Sequence, residues 1–306
     1  MTLSVKILQA GATKPANNPY TICIMANPCL ETPLQSGSFS RDPILASQGQ
    51  FNALAAYVID SLLGKLPGQK EVAFAVPATQ FRIVSIFDDS LASGDATCLV
   101  GEDSSSNIVV PRQIKFGPLL AKYSIPGVTS LKADVAFAVT GSITHQRCSA
   151  WFTADDDFGP GVQFTLDGAV LSHRYKNLHP GTVALHVSAV SLVALHEFGH
   201  AASSWTNGSV VDLYVDNNPG LNNKQGRPIP AAFGVMDSVP YPSDPARDGL
   251  GYPAGWTSYH AQLNNPAFPA VMDNFWQAST QPEDCEHDRI TRQFLLDRIG
   301  AIMARP

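Results

Sequence analysis

Residues 182–205 read TVALHVSAVSLVALHEFGHAASSW. Apolar residues recur through this stretch at helical spacing. Pro180-Gly181 precedes it and Asn207-Gly208 follows it, so the periodicity predicts one long helix that stops at the Asn-Gly pair. Inside it lies His196-Glu197-Phe198-Gly199-His200, an HExxH arrangement. Residues four apart share one helix face, with Cβ atoms ~5–6 Å apart. Two imidazoles so placed can reach one zinc ion at ~2.0–2.1 Å. Glu197 stands beside the first of them, where a carboxylate can take a proton from a zinc-bound water and pass it to a leaving amine. Leu192, Val193, Leu195 and Phe198 give the same helix an apolar face to bury against a sheet. That setting disfavours two surface histidines flanking a glutamate by chance.

Outward from this helix, the pattern alternates. Residues 20–25 (YTICIM), 81–87 (FRIVSIF) and 133–140 (ADVAFAVT) read as strands, with shorter candidates at 148–153 and 161–166. Residues 51–66 (FNALAAYVIDSLLGKL) read as a helix. The fold class expected is α/β (α+β): a twisted, mostly parallel sheet with a backing helix and an active-site helix. Residues 217–270 are rich in Gly, Pro and Asn and read as ordered loop. Residues 283–304 carry Ile290, Phe294, Leu295 and Ile299 on one helical face. The chain therefore divides into an upper subdomain, 1–205, and a loop-rich lower subdomain, 206–306, closed by a C-terminal helix.

Composition bounds the partners. Of 306 residues, 44% are hydrophobic, enough for a sizeable core. Net charge is −6, which argues against a nucleic-acid partner. No apolar run approaches the ~20 residues of a membrane span. The first residues, MTLSVKILQ, do not read as a secretory signal, so a cytoplasmic or non-classical location is expected unless a signal precedes them. Five scattered cysteines without a CxxC describe neither a disulfide scaffold nor a cysteine zinc site. Cys23 and Cys29 lie near enough to pair locally, but buried or free thiols are the simpler expectation. Nothing in the sequence indicates an oligomeric state.

A hydrolytic zinc site needs a third protein ligand and one open position. Asp212 is the first acid after Asn207-Gly208, and it lies between Val211 and Leu213, where a lone carboxylate is costly to bury. Asp216, His260, Glu283 and Glu286 remain alternatives. Tyr259 is the first candidate for a donor to the oxyanion of a tetrahedral intermediate.

These residues carry a family resemblance. Val271-Met272-Asp273-Asn274-Phe275, ahead of the terminal helix, resembles the Met-turn of the metzincins, with Val235-Met236-Asp237 as the competing segment. The closest likeness within that clan is to IgA-peptidase-like metallopeptidases. The HExxH resembles their first motif, Val210-Val211-Asp212-Leu213-Tyr214 their second, and Met272 with Cys285 their third. The gap after His200 is several residues longer here, and Leu213 stands where that family has a glutamate. The spacing from Gly208 to Asp212 is similar to that of aspzincins. The resemblance implies a zinc metallopeptidase acting on a protein or peptide, with zinc on His196, His200 and Asp212 and Met272 beneath the site. A zinc hydrolase of a non-peptide amide, or a binding protein with a vestigial metal site, are the rival readings. A purely structural site would have four protein ligands and no open position.

Overall fold

The computed structural model describes residues 2–11, 19–69, 80–153, 163–166, 169–172, 179–189, 192–203, 210, 271–272, 287, 292, 295–296, 299–300 and 302–303. Its centre is a six-stranded mixed sheet. The strands are β1 (Leu3–Gln9), β2 (Tyr20–Ala26), β5 (Phe81–Asp88), β8 (Val135–Thr140), β9 (Ser149–Trp151) and β12 (Gly181–His186), in the order β1-β5-β2-β8-β12-β9. The inner strands β5, β2, β8 and β12 run parallel, and β1 and β9 close the two edges antiparallel. A second sheet, β4-β3-β6-β7, joins β3 (Cys29–Glu31), β4 (Phe39–Arg41), β6 (Cys98–Glu102) and β7 (Val109–Pro111). The strands β10 (Gln163–Leu166) and β11 (Ala169–Ser172) form a separate antiparallel pair.

Three α-helices have continuous described bounds, α1 (Gln48–Leu62), α2 (Gln113–Leu120) and α3 (Val193–Ala201), and the described residues 292, 295–296, 299–300 and 302–303 are also helical. The class is thus mixed α/β. No helix among the described residues is long and apolar enough to cross a membrane.

Strand periodicity divides the core into two layers. One face of the large sheet carries Ile22, Ile24, Ile83, Phe137, Val183 and Leu185, and packs with residues of α1 and α3 such as Phe51, Val58, Leu195 and Phe198. The other face carries Cys23, Met25, Val84, Ala136, Ala138 and Ala184, and packs with Phe116, Leu119 and Leu120 of α2. Because both faces are covered, β2, β8 and β12 are buried along their whole length. They therefore read as continuous apolar runs.

That same burial explains the main departure from the sequence reading. Residues 182–205 are not one helix. The first five belong to β12, which runs parallel to β8 in the register Gly181↔Val135 to His186↔Thr140. The helix begins at Val193 and ends at Ala201, before Asn207-Gly208, which lies outside the described residues. A strand buried on both faces has no polar alternation, so its apolar positions merged with those of the helix that follows. The start of β12 packs directly against the end of α3. A methyl at Gly181 would lie 1.7 Å from the Ala201 carbonyl oxygen, so only glycine lets β12 start beneath the end of α3.

Cys23, Cys29, Cys98 and Cys148 are free thiols. Cys23 lies on β2 in the layer facing α2, whereas Cys29 has passed onto β3 of the other sheet, so the two do not pair. Cys285 is outside the described residues.

Candidate metal centre

The helix that bears the HExxH is held at both ends and in the middle. At its start, the hydroxyl of the half-buried Tyr57 accepts the backbone N–H groups of Ala194 and Val193, which ties it to α1. In the middle, Phe198 meets Tyr20 and Phe81 edge-on, with ring centroids 6.4 and 6.5 Å away. At its end, Thr153 donates through Oγ1 to the Ala201 carbonyl at 3.0 Å and through its N–H to the Ser203 carbonyl at 2.8 Å. Residues Ala194 to Gly199 are all buried. The two histidines are thus carried by a helix with little freedom to shift.

His196 and His200 face each other. Their Nε2 atoms are 3.2 Å apart, and the rings are nearly perpendicular. Each Nδ1 is anchored on main chain: His196 on the Val271 carbonyl at 2.6 Å, and His200 on the Val210 carbonyl at 2.8 Å. A carbonyl oxygen can only accept, so both Nδ1 atoms donate. In the neutral rings, both Nε2 atoms then carry lone pairs. Two lone pairs facing each other at 3.2 Å repel unless a proton or a cation lies between them. Two nitrogens bound at ~2.05 Å to one tetrahedral ion lie about 3.3 Å apart, which the observed spacing matches. Anchoring the outer ring nitrogen also fixes the tautomer that a metal-ligating histidine requires. The Glu197 carboxylate completes the cluster: one ligand atom from each of His196, Glu197 and His200 lies within 4.8 Å of the others.

The two anchoring carbonyls show how distant segments reach the site. After α3 ends, Ser203 donates its hydroxyl to the His200 carbonyl, and that hydroxyl in turn accepts the Val210 N–H at 2.9 Å. The chain therefore returns to the helix end at Val210, two residues before Asp212. From the C-terminal side, Val271 supplies its carbonyl to His196 and the fully buried Met272 packs against α3. A methyl at Gly199 would lie 2.8 Å from Met272 Sδ and 3.3 Å from His287 Nε2. Glycine at the fourth position of the HExxH is what lets these two side chains close under the helix.

Of the residues expected from the sequence, the structure brings together His196, Glu197 and His200, with Met272 on the adjoining helix face. Asp212, Asp216, Tyr259, His260, Glu283, Glu286 and the competing Met236 lie outside the described residues. Three contributors carry no signal in the sequence. The carbonyls of Val210 and Val271 act through backbone, which no residue type reveals. Buried His287 sits in a run of charged residues that resembles an exposed helix start. Cys148 is close enough to feel the Glu197 charge. Burial first, and that charge second, push its thiol up to about 12.

Asp42 is a buried acid with a different role. It accepts from Asn27 Nδ2, the Ile44 and Gly141 N–H groups and Thr140 Oγ1. With its lone pairs so engaged, it ties the loops after β2 and β8 and is not available for chemistry. No known family model matches the chain, and no curated protein matches it.

Proposed function

We propose that this chain is a metzincin-like zinc-dependent metallopeptidase. The observation that supports this most strongly is the paired Nε2 atoms of His196 and His200, 3.2 Å apart with each Nδ1 donating to a main-chain carbonyl. The zinc ligands assigned are His196, His200 and Asp212. The return of the chain to the helix end at Val210 favours Asp212 over ligands farther along, because two residues of extended backbone reach at most ~7 Å. The buried Met272 beside Gly199 fits the Met-turn that the sequence resembles.

Bound zinc would supply Lewis acidity, polarising the scissile carbonyl and easing the deprotonation of water. Glu197 accepts the proton of the attacking water and donates it to the leaving amine, so no acyl-enzyme forms. Its near-complete burial strengthens its interaction with positive charge in the site. The carbonyls of Val210 and Val271 hold the two imidazoles in the ligating tautomer throughout, and Tyr57 fixes the start of the helix that carries all three side chains.

The test is a peptide-library digest with purified protein, followed by metal removal. Cleavage should stop on treatment with a zinc chelator and return on adding zinc. Asp212→Ala should weaken zinc binding far more than Asp216→Ala. Cleavage that persists after complete metal removal, or equal zinc affinities for the two variants, would contradict the corresponding assignment. Release of acyl groups from non-peptide amides, with no peptide cut, would move the substrate class.

A further inference from the structure

Far along the sequence from the metal centre, two thiols meet between β3 and β6. Cys29 and Cys98 are partners in the parallel register of these strands, and both are fully buried. Neighbouring strands run ~4.8 Å apart, inside the ~4.4–6.8 Å range of Cα separations across a disulfide. The two sulfurs are already in hydrogen-bond contact. Cys29 Sγ also accepts the Gly94 N–H at 3.2 Å. The Arg112 guanidinium bonds the Cys98 sulfur and forms ion pairs with Glu31 and Asp95 at 3.2 and 2.6 Å. Contact with Cys98, followed by the Gly94 N–H and the Arg112 charge, holds the Cys29 thiol at about 7 against the rise that burial brings. Cys98 is pushed up by the same contact and by burial, and its thiol donates to the Val100 carbonyl at 3.2 Å while Cys29 accepts an N–H, which places the proton on Cys98 and the nucleophilic role on Cys29. The cover over Cys29 is thin, because it includes the turn at residues 92–96, most of which is exposed.

We propose that Cys29 and Cys98 form a dithiol–disulfide redox pair that is oxidised by hydrogen peroxide and staples β3 to β6. In the first step the Cys29 thiolate attacks one peroxide oxygen. An S–O bond forms, the O–O bond breaks, and hydroxide leaves and takes up a proton as water. In the second step the Cys98 sulfur attacks Cys29. The S–S bond forms, the S–O bond breaks, and the leaving oxygen departs as water with the Cys98 proton. The two thiols lose two electrons in all, and these reduce one peroxide to two waters. The pair is independent of the proposed peptidase chemistry.

The experiment treats the full chain with one equivalent of hydrogen peroxide and alkylates the remaining thiols after denaturation. Non-reducing digestion and mass spectrometry then follow. The peptides of Cys29 and Cys98 should be joined, with free thiols falling from five to three, and dithiothreitol should restore all five. Joining of another pair, or full alkylation of both residues after treatment with excess peroxide, overturns the proposal. Folded Cys98→Ala, oxidised in the presence of dimedone, should carry the sulfenic-acid adduct on Cys29, and its absence there also overturns it. If that variant does not fold, the cross-link in the native chain decides the matter alone.

Discussion

Glu197→Gln is expected to keep the metal and lose at least ~10²-fold in hydrolysis, the low end of what a positioned general base contributes. The amide has the shape of the carboxylate and keeps one accepting oxygen, but it cannot take the proton of an attacking water. The substitution leaves untouched the anchors at Val210 and Val271 that orient the two imidazoles. Zinc content should therefore match that of the native chain while the turnover number falls. The measurement is cleavage of a peptide taken from the library digest, with zinc determined on the same sample. Turnover equal to the native rate would remove Glu197 from the mechanism without disturbing the metal assignment.

Gly181→Ala is expected to be the most damaging single-methyl change in the described fold. The added carbon would lie 1.7 Å from the Ala201 carbonyl oxygen and 2.5 Å from its carbonyl carbon, both backbone atoms, so no side-chain rotation relieves it. Either β12 leaves its register with β8 or the end of α3 lifts away from Thr153. Over-packing of a rigid core costs up to about 3 kcal/mol, and more where backbone must move. At this chain length that corresponds to a fall in Tm on the order of 5 °C. Ala201 follows His200 directly, so zinc affinity should fall as well. Gly49→Ala is the control: in the first turn of α1 the nearest atom to its Cβ is Ser47 Oγ at 3.9 Å. That change should leave Tm level or raise it slightly, since alanine suits a helix better than glycine. Equal melting curves for Gly181→Ala and the native chain would mean that β12 and α3 do not pack as described.

Much of this arrangement is legible in the residues themselves. The strands at Tyr20–Ala26, Phe81–Asp88 and Val135–Thr140 and the helix Gln48–Leu62 follow from their apolar spacing, as does the HExxH face. What escapes has physical reasons. β12 is buried on both faces, so TVALH differs little from the helix that follows it. The helix α2 is not among the expected elements; it carries Pro118 in its interior, where a proline lowers the local helical preference. β1 has mostly exposed or half-exposed side chains and is held by its antiparallel pairing with β5, a tertiary fact that local periodicity does not encode. At the metal centre, the ligands are visible as residue types. The carbonyls that lock them arrive from 10 and 75 residues away in sequence. Only the fold brings those together.

Zinc content measured by elemental analysis, on the native chain and on the His196→Ala/His200→Ala double variant, tests the central claim most directly. The native chain should hold about one zinc per molecule. The double variant should hold none above background while keeping its secondary structure, because the lost imidazoles supply two of three protein ligands. Stoichiometric zinc in a folded double variant would contradict the assignment of His196 and His200 as the metal's ligands.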